Sequence, residues 1–495
     1  MDSITQPRKE ISDLPIEILE KILDYLTVAD LKNASLVCRQ WSHLAFSGRR
    51  MDHVRFVVQI QNQEKKPLRE GKRQYRHIGL GCGSEDENIH IEFIQAIKGF
   101  KKNVTSLGVH GEVDLSQIQC ILHDVPNLQA LSLKGLFRIR SRRFDGVMML
   151  PVFHQLYDLK MWHYSSLLEE TFDICSIAPN LQRINMDCHT ENALKVFKHF
   201  SHQLKSVKAY FKKVDLVASF CKISFPELLE IEVDLCYSDK FIVSSSNCAF
   251  IAESKRLQRA TLKYAKAALF VNILVEHCRD ITFLHICSDE LENQCLNGLA
   301  NLTKLTILTL EGGLDRNVFE ECQPIASLQE LHLFFVLEEY CVVYDTLKFL
   351  KGLPAVMPNL SRLSISTYIH EVWLQFIFNN MVSLKCLELK NGWMSGAGVH
   401  LDTLPHLTEL RLNKVSNCDR FLQNFPSTKI KTFAITYMDE NTLLSIPAVF
   451  PSLRILHLVE SNAQSKECIE KLRSLMPLCT VIAGNITPKL EQYYK

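Results

Sequence analysis

Two short stretches of this chain carry residue types and spacings that chemistry uses. Gly79-Leu80-Gly81-Cys82-Gly83 has the glycine density of a loop that cradles phosphate. It lacks the third glycine of the G-x-G-x-x-G spacing, and no Lys-Ser/Thr pair follows. The expectation there is a turn between structural units. Cys287-Ser288-Asp289 sets a thiol two residues from a carboxylate, a beginning for an activated nucleophile. It falls just after a strand-like position, where a small buried thiol is ordinary. The 18 His are dispersed, and the 17 Cys show neither Cys-x-x-Cys nor paired Cys/His spacing. These patterns yield no catalytic residue, no metal ligand and no cofactor. The expectation is a chain that is not an enzyme.

Composition bounds the remaining possibilities. Of 495 residues, 47% are hydrophobic and 22% charged, the balance of a globular chain. Lys plus Arg is 56 and Asp plus Glu is 55, a net charge of +1. Such neutrality argues against a general nucleic-acid binder or a polybasic membrane-surface protein. Residues 1–20 show no apolar h-region, and no apolar run approaches the roughly 20 residues of a membrane span. Scattered thiols then imply a reducing compartment, the cytoplasm, the nucleus or both. A single core stops growing near 250–300 residues, so this length implies several domains or a repeat array.

Repeats are present. Apolar residues recur at positions 1, 4 and 6 of a unit, as in Leu128-Leu131-Leu133, Leu181-Ile184-Met186, Leu228-Ile231-Val233 and Leu328-Leu331-Leu333. First positions at 360, 384, 407, 430 and 453 give steps of 24, 23, 23 and 23. Two units are long: 228 to 257 is 29 residues, and 328 to 360 is 32. Weaker members begin at Val104, Leu204 and Leu257, with earlier ones at Met51 and Tyr75. The last two apolar residues of each unit are two apart and so share one face of a short strand. One unit cannot bury that face alone and must stack on its neighbours. Pro-Asn-Leu often opens the unit, as at Pro126, Pro179 and Pro358, where Pro ends the preceding helix.

This pattern resembles the leucine-rich-repeat family over residues 51–484. The resemblance implies an α/β fold, a curved solenoid with parallel strands on its concave face. The array departs from the family at the ninth position, where Asn or Cys usually builds a side-chain ladder. Cys236 fits, whereas Val336, Gly392, Val415 and Ser461 do not, so the solenoid is expected to be irregular. Some ubiquitin ligases with such repeats use a Cys-x-Asp, but in a separate helical domain after the repeats. Repeats running to residue 484 leave no room for one.

The amino-terminal segment has a different period. Pro15 suits the first turn of a helix, and Ile18, Leu19, Ile22, Leu23 and Leu26 make a broad apolar stripe. Thr27 with Asp30 has the capping-box form for a second helix. Ser35 is a candidate cap for a third, on which Val37, Trp41 and Leu44 share a face, with Gly48 as the stop. Three helices in under 40 residues carry more apolar surface than so small a core hides.

Leu14-Pro15-x-Glu17-Ile18-Leu19, Ile22, Tyr25-Leu26, Asp30-Leu31 and Val37-Cys38-Arg39-Gln40-Trp41 together resemble an F-box. The expected domains are a tail at 1–10, an F-box at 11–50, the solenoid at 51–484 and a tail at 485–495. The resemblance implies docking on the Skp-type adaptor of a cullin–RING scaffold. Carried over, the contact residues are Leu14, Pro15, Ile18, Leu19, Ile22, Leu26, Leu31, Val37 and Trp41. Leu23 and Leu44 are candidates for the internal core alone.

On the solenoid, side chains between and beside the strand leucines point to the concave side. Hot spots favour aromatics and Arg. Trp162, Arg183, Tyr210, Arg259, Phe283, Phe334, Arg362 and Arg411 are therefore the candidate target contacts. Arg49–Arg76 holds nine basic and three acidic residues, and Lys134 is followed by Arg138, Arg140, Arg142 and Arg143. Each stretch reads first as a solvated loop, then as an import signal or an anionic-ligand site respectively.

The function implied is the substrate-recognition subunit of an SCF-type ubiquitin ligase, its partners being the adaptor, the cullin scaffold and an unidentified target protein. Three other readings stay open: a non-degradative interaction scaffold, a receptor gated by a small molecule, and an enzyme with a cryptic nucleophile at Cys287. No nucleic acid and no membrane are expected as partners.

Overall fold

A computed structural model of the chain describes residues 14–26, 28–60, 74–82, 89–111, 113–135, 137–138, 151–162, 174–234, 248–263, 267–291, 296–314, 319, 322–335, 343–366, 371–390, 404–415, 422, 427–436, 438–459 and 466–483. It forms two compact units, Met1–Leu204 and Lys205–Lys495.

The first unit opens with three helices, α1 (Ile16–Asp24), α2 (Val28–Ala34) and α3 (Arg39–Ala45). Pro15 sits at the N-cap of α1 with φ −53°, a dihedral its ring fixes in advance. Leu19, Leu23, Leu31, Ala34, Leu44 and Ala45 make the core, and Leu14, Leu26, Trp41 and Phe46 pack against it. Two expectations about helix ends are corrected. Ser35 does not cap the third helix, because its Oγ donates to Lys32 O at 2.7 Å and closes α2 instead. The cap of α3 is Cys38, whose Sγ accepts from Trp41 N at 3.4 Å. Gly48 is not the stop either: α3 ends at Ala45, and Gly48, at φ +56°, opens a 3-10 turn over Gly48–His53. Thr27 lies outside the described residues.

Six parallel strands follow in ladder order, β1 (Arg55–Ile60), β2 (His77–Cys82), β3 (Ser106–Gly111), β5 (Ala130–Lys134), β7 (Asp158–Trp162) and β8 (Arg183–Cys188). Two short strands, β4 (Val113–Asp114) and β6 (Phe137–Arg138), pair beside them. Gly79–Cys82, expected as a turn, is strand. The Arg55 side chain lies beside Gly79 and, on β3, beside Gly108. A Cβ at Gly79 would sit 3.6 Å from Arg55 Cδ, and one at Gly108 only 2.9 Å from Arg55 Nη2. Register also moves the earliest unit. Phe56 pairs with Ile78 and Val58 with Leu80, so its first position is His53, two residues after Met51.

The second unit is a ladder of twelve parallel strands: β9 (Ser206–Phe211), β10 (Glu230–Asp234), β11 (Arg259–Lys263), β12 (Phe283–Leu291), β13 (Ile307–Leu314), β14 (Glu330–Phe335), β15 (Arg362–Ser366), β16 (Cys386–Lys390), β17 (Glu409–Asn413), β18 (Thr432–Thr436), β19 (Ile455–Val459) and β20 (Thr480–Ala483). Arg362, Cys386, Glu409, Thr432 and Ile455 are paired in register, reproducing the steps of 24, 23, 23 and 23. Positions 1, 4 and 6 are buried in unit after unit, as Leu305-Leu308-Leu310 and Leu384-Leu387-Leu389 show. In the last unit Leu478 holds position 1 and is 93% exposed, since no described strand follows to cover it.

One carbonyl before each strand binds two backbone amides of the next unit. Gln258 O accepts from Thr282 and Phe283, Thr282 O from Thr306 and Ile307, and Thr306 O from Gln329 and Glu330. Side-chain bonds between successive repeats are made at the residue before position 1. Asn127 Nδ2 donates to Lys102 O at 2.7 Å, Asn180 to His154 O at 2.8 Å and Asn359 to Ala326 O at 2.8 Å. The asparagine of Pro-Asn-Leu thus joins each unit to the one before, satisfying carbonyls the ladder leaves over. At the ninth position Val415 is buried, and Cys236, Val336, Gly392 and Ser461 lie outside the described residues.

Each unit is thus an α/β ladder of parallel strands built from successive repeats, the first preceded by a three-helix segment. Among the described residues no helix is long and apolar enough to cross a membrane.

Candidate functional site

Helix α1 is apolar on two sides. Leu19 and Leu23, four apart, point into the small core, and Leu26 continues that stripe. Ile18, Ile22 and Tyr25 follow the same spacing one residue out of phase and face outward. Tyr25 is 91% exposed, and on the neighbouring loop Leu36 is 83% exposed with Val37 beside it. An apolar patch of this kind on so small a domain marks a protein interface.

The nine residues expected there divide into three groups. Pro15, Ile18, Ile22 and Val37 are exposed. Leu14, Leu26 and Trp41 pack on the core while keeping part of their surface open. Leu19, 1% exposed, and Leu31 lie wholly inside and hold the helices together instead. Ile16, Tyr25 and Leu36 are exposed apolar residues that sequence reasoning did not select. Tyr25 was findable, since it continues the 18–22 spacing by one turn.

Arg50 locks this domain from behind. It is buried, its Nε donates to Leu44 O at 2.9 Å, and its Nη1 donates to Glu20 O at 3.2 Å and to Asp24 Oδ1 at 2.6 Å. A cation at the carboxyl end of α1 also suits the helix dipole.

On each strand ladder the residues at positions 3, 5 and 7 stand on the face opposite the leucines. All eight candidate target residues occupy such positions. In the first unit Trp162 Nε1 donates to Asn185 Oδ1 at 2.7 Å, under the Lys134 ammonium 5.3 Å from its ring centre. Arg183 is exposed on β8. In the second unit Tyr210 Oη donates to Glu232 Oε1 at 3.2 Å. Phe283 is buried, with the Arg259 guanidinium 4.2 Å above its ring. Lys390 stands 5.6 Å from the Phe334 ring centre. Arg362 reaches Glu330 at 3.6 Å and Glu409 at 3.4 Å, and Arg411 Nε donates to Glu409 Oε1 at 2.5 Å. Within each unit most of these side chains pair with groups on neighbouring strands.

Electrostatics set the tone of that face. Burial alone would raise the Glu232 carboxyl, yet Lys208 at 2.7 Å and Lys263 at 3.1 Å outweigh it and hold it below its ordinary range. A hydrogen bond from His285, 3.0 Å away, holds Glu311 low, with burial opposing. Glu330 is lowered by His332 first and then by Arg362. Cys287 lies within β12, buried, rather than after it. Among the described residues no group of three or more His, Cys, Asp or Glu is placed to hold a metal ion. Arg140, Arg142, Arg143 and residues 61–73 lie outside the described residues.

Comparison with known proteins bears on this geometry. The family profile described as F-box-like matches residues 11–53. No curated protein matches the chain. Similar solved structures include the TLR13–ssRNA13 complex, at 13% identity and TM-score 0.42 over 87% of this chain; the alignment spans 65% of that protein's length. A leucine-rich-repeat protein of Leptospira interrogans is 15% identical with TM-score 0.35, covering 86% of this chain and 99% of the other. An internalin of Listeria monocytogenes is 13% identical with TM-score 0.28, covering 68% and 77%. Residues 11–53 thus carry an F-box-like domain ahead of the repeating strand ladders.

Proposed function

We propose that this chain is the substrate-recognition subunit of an SCF-type ubiquitin ligase. The observation that carries the reading is the second apolar face of α1, where Ile18, Ile22 and Tyr25 stand exposed inside a matched F-box-like domain. A Skp-type adaptor would cover that face and tie the chain to a cullin–RING scaffold. The strand faces would hold the target, with the Arg, Glu and aromatic network as its contact surface. The mechanism is positional: a target lysine is kept near the charged conjugating enzyme at high effective concentration. The receptor itself performs no covalent step, and it works in the cytoplasm, the nucleus or both.

Reconstitution tests this. The chain, a Skp-type adaptor and a cullin–RING pair should elute as one complex that supports ubiquitin transfer to a bound protein. An adaptor complex that never takes up the cullin would replace the ligase reading with that of a non-degradative scaffold.

A further inference from the structure

The open face of the first strand ladder gathers three basic side chains that lie outside the candidate target contacts. Strands β1, β2, β3 and β5 carry no acidic residue. At position 5 they set Val57, Gly79, Gly108 and Ser132 in one register row, so two neighbouring strands present no side chain there. Arg55, at position 3 of β1, extends across that gap. Its Cδ and Nε lie 3.6 Å from where a Gly79 Cβ would stand, and its Nη2 lies 2.9 Å from that of Gly108. His110 reaches the same place from β3, its Nε2 3.3 Å from the Gly108 position. Lys134 is exposed, in register with His110, and its ammonium stands 5.3 Å from the Trp162 ring centre. Among the described residues none of the three makes an ion pair with a carboxylate.

Each part of this cluster restricts the occupant. Burial first, and then the charges of Arg55 and Lys134, hold the His110 imidazole below its ordinary value of 6.5. Near neutral pH the cluster therefore offers two permanent cations and one uncharged imidazole. A guanidinium fork, an ammonium and an imidazole N–H are all donors to an oxyanion. Two fixed positive charges match a dianion, whereas a single carboxylate leaves one of them unanswered. A phosphate monoester carries nearly two negative charges at neutral pH and three acceptor oxygens. From Val57 to Ser132 the row spans three strand steps of about 4.8 Å, and the glycines between leave room for such a group. A nucleic acid fits less well, because its binders engage about six to ten backbone phosphates. We infer that Arg55, His110 and Lys134 form a binding site for a phosphate monoester, borne by a phosphorylated side chain or by a free ester. The inference does not rest on the adaptor reading, because none of these residues belongs to α1.

The test titrates the full chain into phenyl phosphate in chloride buffer and follows the phosphorus NMR line, which should broaden on binding. R55A/K134A removes both fixed cations, each exposed, and should raise Kd about tenfold with an unchanged thermal melt. K195A/K198A removes the same charge from the helix Glu191–Phe200 in the same unit and should leave Kd unaltered. G108A keeps every charge but sets a methyl 2.9 Å from Arg55 Nη2, and should weaken binding as well. An alanine-flanked phosphoserine peptide that binds more tightly than phenyl phosphate assigns the site to a phosphorylated protein segment. Equal or weaker binding of that peptide assigns it to a free ester. The proposal is overturned if the parent chain leaves the phosphorus line unbroadened, or if both double variants weaken binding equally. It is equally overturned by phenylacetate displacing phenyl phosphate at equal concentration, or by an octathymidine oligonucleotide that binds more tightly than either phosphate ester.

Discussion

Arg50 and Asp24 join the two ends of the F-box-like domain: Nη1 lies 2.6 Å from Oδ1 across 26 residues of sequence, with the guanidinium buried. The same group also donates to the carbonyls of Leu44 and Glu20, so its loss would remove one donor from each of three acceptors. Arg50→Ala should cost roughly 1.5–3 kcal/mol, the range for hydrogen bonds to a charged group. Hydrogen exchange should show the amides of Ile16–Asp24 opening faster while those of β10–β19 keep their protection. Unchanged exchange in α1 would remove Arg50 from this role.

Gly312 faces Ser288 across the β12–β13 ladder, at φ +121°. A Cβ there would lie 1.8 Å from Ser288 O, which is backbone and cannot swing aside. Gly312→Ala should destabilise the second unit by roughly 1–3 kcal/mol through overpacking and strain. A urea titration that shows no shift of midpoint would contradict this.

Glu232 gives the strand face a measurable pH dependence. Its carboxyl is held below the ordinary value of 4.5 in the folded chain, so its contribution is complete above that pH. The contribution is lost as pH falls through the lowered value. Glu232→Gln should therefore be less stable than the parent at pH 7, by roughly 1–3 kcal/mol. That deficit should shrink as both are acidified below pH 4.5. A deficit independent of pH would mean the two lysines are not its source.

Much of the fold was legible because it is written locally. Leu360, Leu384, Leu407, Ile430 and Leu453 mark their units by period alone, and the ladder keeps their spacing. Period also placed Arg362 and Arg411 on the open face. What it could not show is pairing across units, such as Arg362 with Glu409 47 residues away. The F-box-like helices mislead in another way. α1 is apolar on both sides, and spacing does not say which side turns inward, so Leu19 was grouped with Ile18 although one is core and the other surface. Gly79–Cys82 has the glycine density of a turn, yet it pairs with β1 and β3, which spacing within the segment does not show. Asn127 looked like part of a turn signal, and its bond to Lys102 O appears only once the units are stacked.

The central claim is that the outward face of α1 binds a Skp-type adaptor, and co-expression followed by size-exclusion chromatography measures it directly. Leu14→Ala/Pro15→Ala confounds contact with core, because the partly open Leu14 also packs against the core. Ile18→Asp/Ile22→Asp changes only exposed side chains. Burying an isoleucine is worth about 1.5–3 kcal/mol, so this pair should weaken the complex on the order of a hundredfold or more. The account expects a one-to-one complex with the parent chain and none with the double variant, which should remain folded. A variant that still co-elutes with the adaptor, or a folded parent chain that never does, would contradict it.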